Sequence, residues 1–268
     1  MFRQAPWMGL GTRAVGPTLV ALLLASPLSA QSLFDRVPPL TRGCYGGQDS
    51  YLEDLEAVRT AIQTEMDGWE EANNALSSAV DPAAQTQRVM AAMQANPQGA
   101  MELMQRQQMA PEETSAFLTM HAELESAFEV ERENLLNEYR ETFDTRVAAI
   151  RARIGNLSDP GGPSNPNYMA ELRVESARYD AEYVAHCGEW FGPTGRFAEY
   201  VGRYRVYLLE EWLPPTRKFF DLERDTLEFF GGVDVTGYRF TGEHEAVVRF
   251  MNPIFTFLGW RELQPMAG

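Results

Sequence analysis

An all-α architecture, drawn out into an elongated helical bundle around a long antiparallel helical hairpin, is the expectation for this chain. Apolar residues recur at steps of three, four and seven over most of its length, and helix-opening pairs such as Asp81-Pro82 and Asn96-Pro97 stand ahead of the runs. Strand-type alternation is confined to 233–240, where it is enough for one short β-hairpin.

The first 30 residues read as an export signal. Arg3 and Arg13 precede the apolar run 18–25, which gives way to small residues ending at Ala30 and then to the polar pair Gln31-Ser32. Cleavage is expected after Ala30; the alternative is a retained anchor, since 14–34 is uncharged. The cysteine count agrees with export. Cys44 and Cys187 make an even pair, most simply one disulfide in an oxidising periplasmic or secreted setting.

Residues 31–49, with Pro38-Pro39 and three glycines, are expected as an extended lead-in, and 50–268 as the helical domain. Ser50 and Glu53 have capping-box spacing, and Leu55, Ile62, Met66, Trp69, Leu76 and Val80 follow as a coiled-coil-like stripe broken only by Arg59 and Asn73. Asp81-Pro82 and Asn96-Pro97 open two short helices, because proline in the first helical position has no missing bond to regret. A hairpin is expected over 111–190. Its first arm starts at Pro111 and carries Phe117, His121, Leu124, Phe128, Leu135, Tyr139, Phe143 and Val147 on one face to about Gly155. Its second carries Met169, Leu172, Tyr179, Tyr183, Cys187 and Trp190 after the turn-rich 158–166. The C-terminal helical part, 195–260, places Phe197, Tyr200, Tyr204, Leu208 and Trp212 together, should stop or kink at Pro214-Pro215, should end a further helix at Gly231-Gly232, and closes with an apolar helix interrupted at Asn252-Pro253.

Composition narrows the function. With 44% hydrophobic residues the chain is neither disordered nor collagen-like, and a net charge of −15, more negative once Arg3 and Arg13 leave, repels nucleic acid. Nucleophile elbows, phosphate loops, zinc-protease helices, calcium loops and haem motifs are all missing, so an enzyme of a familiar kind is disfavoured. An enzyme would need a pocket of carboxylates or tyrosines, for instance on the Tyr200 and Tyr204 face.

Two constellations remain. Met90, Met93, Met101 and Met104 form pairs three residues apart on helix faces, with His121 further on; thioethers suit Cu(I), which makes these five the candidate metal set. The same methionines would serve as a deformable apolar groove for a protein, or as core filler. Glu182 and His186, four apart, read as an ordinary helical pair, and His244 between two glutamates reads as exposed. The sequence thus points to an exported interaction, scaffold or holdase-like protein that binds another macromolecule, most simply a protein, through its long hairpin or its methionine-rich face. The alternative is a copper-handling protein. Once the signal is removed no membrane-spanning segment is expected.

Overall fold

The computed structural model describes residues 33–45, 48–157 and 166–257; the export signal lies outside the described residues. The chain divides after Gln31, and the second unit holds everything described. It is all-helical: a 3-10 turn Leu33–Arg36, α1 (Arg42–Tyr45), α2 (Gln48–Ser78), α3 (Pro82–Ala95), α4 (Pro97–Gly155), α5 (Pro166–Phe191), α6 (Arg196–Tyr207), a π-helical turn Leu208–Trp212, α7 (Leu213–Phe229) and α8 (Gly242–Phe257).

The lead-in is not extended. Phe34 is buried against Phe250, and Cys44 is bonded to Cys187 of α5, so two attachment points fold it into short helical turns. Helix α2 begins at Gln48, two residues ahead of Ser50, which therefore stands inside the first turn instead of capping it. Its seam works as an internal face: Leu52, Leu55, Ile62 and Met66 are buried, and α8 is the helix that α2 packs against most. Asn96 caps α4 as its position before Pro97 requires, accepting from the Gly99 N–H at 3.0 Å.

Prolines at three places behave differently from expectation. Pro111 does not open a helix; α4 runs through it for 59 residues, roughly 90 Å at 1.5 Å per residue. Proline denies the Gln107 carbonyl its helical donor, a cost of about 3 kcal/mol in a free helix. Here α7 splints the site on both sides, through Arg106 to Asp225 at 3.0 Å, Gln107 to Thr226 at 2.8 Å and Lys218 to Glu113 at 2.5 Å. Pro214-Pro215 does not stop the helix. The helix widens over Leu208–Trp212, where the Leu213 N–H reaches back to the Leu208 carbonyl, and then resumes as α7. A wider turn moves the carbonyls of Glu210 and Glu211 away from the proline rings that would strike them. Pro253 likewise sits inside α8, whose helix continues to Phe257.

No strand occurs at 233–240, nor elsewhere among the described residues. The backbone groups that a hairpin would pair are met by side chains: Asp234 accepts from the Thr236 N–H at 2.9 Å, while Asn73 of α2 accepts from the Arg239 N–H at 2.9 Å and donates to its carbonyl at 2.5 Å. Just before this loop, Gly232 takes φ of 61°, the left-handed conformation that ends α7 where Gly231-Gly232 was expected to.

Helix α4 organises the rest. As its numbers rise, those of its partners fall: Arg106 to Asp225, Glu113 to Lys218, Glu125 to Tyr204, Glu131 to Arg203, Glu138 to Arg196, Arg146 to Glu189, Arg153 to Glu175. Its neighbours are thus α7, α6 and α5 in turn. The main core gathers where α2, α4, α5, α6 and α8 meet, with Tyr51, Leu55, Ile62, Phe197, Leu208, Met251 and Phe255 almost fully buried. Full burial stabilises each such side chain by about 1.5–3 kcal/mol relative to exposure. A small second cluster joins Ala100, Leu103 and Phe230 with Val89, Met93 and Leu222.

Candidate functional site

Two features of the α4–α7 region are adjacent: an internal polar cluster and an open groove. The cluster forms where the 3.6-residue period of α4 brings His121, Glu125 and Phe128 onto the face that meets Tyr204, Tyr207 and Trp212. His121 is stacked between Phe117 and Tyr207, at centroid distances of 5.8 and 6.0 Å, and its Nδ1 is hydrogen-bonded to the Tyr207 hydroxyl. Tyr204 donates to Glu125, and Arg249 of α8 lies 3.9 Å from the same carboxylate and over the Trp212 ring at 5.3 Å.

Burial sets the charge states. Loss of water, helped by the Arg249 charge, pushes the His121 imidazole down to about 4, so it is neutral near pH 7. Burial also raises the Glu125 carboxyl above its usual range, against the Tyr204 hydrogen bond and Arg249, which favour its charge. The Tyr204 and Tyr207 phenols are pushed well up by burial and by Glu125, so they keep their protons. A neutral His121 that accepts from Tyr207 at Nδ1 turns an Nε2–H toward Glu125 Oε1, 3.8 Å away, too far for a full hydrogen bond. These groups answer one another, and the network fixes α4 on α6 and the π turn.

The groove begins one turn away. It encloses about 1070 Å³ between α4 and α7, with Ala110, Pro111, Leu118 and Ala122 on one side and Phe219, Leu222 and Leu227 on the other; none of the cluster's polar groups lines it. Leu118 is 56% exposed. A shallower cleft on the adjoining flank of α4 shares Pro111, Ser115, Thr119 and Glu123 and reaches Met120.

The five residues proposed from sequence as a metal set do not assemble into one group. Met93 is turned into the second apolar cluster, whereas Met90, Met101 and Met104 are exposed. His121 lies 17 positions beyond Met104 on the same helix, roughly 25 Å along its axis, and its Nδ1 is engaged by Tyr207. No group of three His, Cys, Asp or Glu suited to a metal occurs among the described residues. Glu182 and His186 do not pair: Glu182 binds Arg146 at 2.8 Å, and the His186 Nε2–H donates to the Tyr139 carbonyl at 3.0 Å. His186 is buried between the Tyr139 and Phe143 rings, which lowers its pKa. His244 is not exposed either; at 4% accessibility it meets the edge of Trp69 at 4.6 Å, with Glu65 3.3 Å from Nε2.

Sequence reasoning named the Tyr200 and Tyr204 face but missed Glu125, Tyr207 and Arg249. The available signal was that Glu125 follows His121 by four residues on the apolar face of α4, where a carboxylate needs a donor. The groove was missed because α4 was expected to start at Pro111, inside what is its wall. Compared with known proteins, the chain matches no protein-family model, no curated protein and no solved structure.

Proposed function

We propose that this is an exported protein whose work is to bind another protein through the methionine-bearing face of α3 and α4. One observation carries the reading. Exposed large apolar side chains concentrate between 90 and 120, as Met90, Met101, Met104, Met109, Leu118 and Met120. Leaving so many apolar groups in water is costly, and on a folded surface a concentration of them marks a place that another molecule covers. Thioether side chains bend to fit partners of different shape, which also suits a holdase-like role. Export is supported by the basic-apolar-small order of residues 1–30 and by the Cys44–Cys187 disulfide, a bond at home outside the cytosol.

Photo-activatable side chains placed at Met101 and Met104, and at the exposed Val174 of α5 as a control, test this in the native host. Discrete crosslinked species from 101 and 104, absent from 174, are expected. Equal or no crosslinking from all three removes the reading.

A further inference from the structure

The groove between α4 and α7 has an apolar floor and a rim of one sign. Glu123 and Glu223 are the charged side chains that line it, and the adjoining cleft adds Glu112. Cations close by are already committed: Arg106 to Asp225 at 3.0 Å, Lys218 to Glu113 at 2.5 Å, and Arg224 to both Asp221 and Asp225 at 3.0 Å. The apolar strip also outlasts the groove. Met104, Pro111 and Leu118 follow one another at seven-residue steps, with Met101, Ser115 and Ala122 in the parallel row. From 101 to 122 the strip is roughly 30 Å long, the length of a 20-residue helix.

We propose that this strip seats an amphipathic α-helix of a partner protein, about 20 residues long, apolar toward Leu118 and Phe219 and bearing Lys or Arg where it passes Glu112, Glu123 and Glu223. The proposal rests on the protein-binding reading above and adds the partner's chemistry. A trough between two helices is the shape into which a third helix packs, ridge into groove. The described residues include no sheet edge, so an incoming strand has no backbone ladder to extend. A second copy of the chain is disfavoured by its own charge of −15, and an anionic lipid surface is repelled in the same way.

The test titrates the full chain with two synthetic 20-residue helical peptides that share one leucine face and carry either lysine or glutamate on the other, read by fluorescence anisotropy. The lysine peptide should bind and weaken as salt is raised, with the glutamate peptide roughly tenfold weaker or worse. Leu118→Asp should weaken the lysine peptide roughly tenfold, since a charge would have to be buried in the interface. Its side chain is half in water already, and an unchanged circular dichroism melt shows that the fold is kept. The double substitution Glu112→Gln with Glu123→Gln should narrow the gap between the peptides. Equal affinity for both peptides, no binding of the lysine peptide, or binding unmoved by Leu118→Asp overturns the proposal. So does a dimer in sedimentation, or adsorption to phosphatidylglycerol vesicles, that Leu118→Asp abolishes, because either would name a different occupant. Crosslinks from Met101 and Met104 that persist through any such failure leave the general binding reading standing; equal or absent crosslinking at 101, 104 and 174 removes that reading and this proposal with it.

Discussion

The hydroxyl of Tyr204 stands 3.0 Å from each carboxylate oxygen of Glu125, spanning α6 and α4 at a level where both helices are largely dry. Removing that donor leaves a partly buried carboxylate with no close hydrogen bond from these groups, its nearest being His121 Nε2 at 3.8 Å and Arg249 at 3.9 Å. Tyr204→Phe, which keeps the ring and its contact with Phe128 at 4.9 Å, should therefore cost about 1–3 kcal/mol in denaturant unfolding at pH 7. A loss of a few tenths would mean that water replaces the phenol.

His121 makes stability depend on pH. Its folded pKa, about 4, lies below the ordinary 6.5, so between those values the unfolded chain takes up the proton first. The stabilisation it contributes is complete above pH 6.5 and is lost as the pH falls toward 4. His121→Gln keeps a partner for Tyr207 without titrating. Chemical unfolding at stepped pH should show a smaller loss for the variant than for the natural chain across that window; parallel curves would count against a buried neutral imidazole.

Asn73 is one of the two polar residues that interrupt the α2 stripe, and its amide takes both backbone groups of Arg239. Asn73→Ala should cost about 1 kcal/mol and speed amide exchange at 236–240, while α2 itself stays protected. Exchange unchanged in the loop would show that its other contacts, among them the Tyr238 N–H to the Val235 carbonyl at 2.9 Å and Tyr238 stacked on Phe220, suffice to hold it.

Such cases show what was legible in the sequence. The sulfur pair, the Asn96 cap, the Gly231-Gly232 stop and the buried positions Leu55, Ile62 and Met66 of α2 follow from local spacing and local chemistry, and they stand. What failed was decided by distant partners. Pro111 looked like a helix start because its splints, Asp225 and Lys218, are more than a hundred residues away. Val233 to Phe240 looked like a strand pair because Asn73 was not in view. His244 looked wet between two glutamates, yet Trp69 from α2 covers it. At the site itself, His121 and Tyr204 could be picked out singly, but their meeting through Tyr207 and Glu125 is tertiary.

The Cys44–Cys187 bond closes a loop of 143 residues, for which loop entropy in the unfolded chain predicts roughly 5 kcal/mol. Paired Cys44→Ser and Cys187→Ser substitutions should lower stability by about 2–5 kcal/mol, and reductant should do the same to the natural chain but not to the variant. Response of the variant to reductant would point to an effect other than this bond.

The π turn at Leu208–Trp212 has a consequence for everything after it. A turn closed five residues back holds one residue more than its neighbours, and each residue of an α-helix is worth about 100° of rotation. The azimuth at which Phe219, Leu222 and Leu227 leave α7 is therefore dialled by a single inserted position more than a turn upstream. Shortening 208–212 by one residue would restore a regular helix and swing that wall of the groove off α4, so the trough exists by virtue of a phase offset as much as by the identity of the side chains that line it.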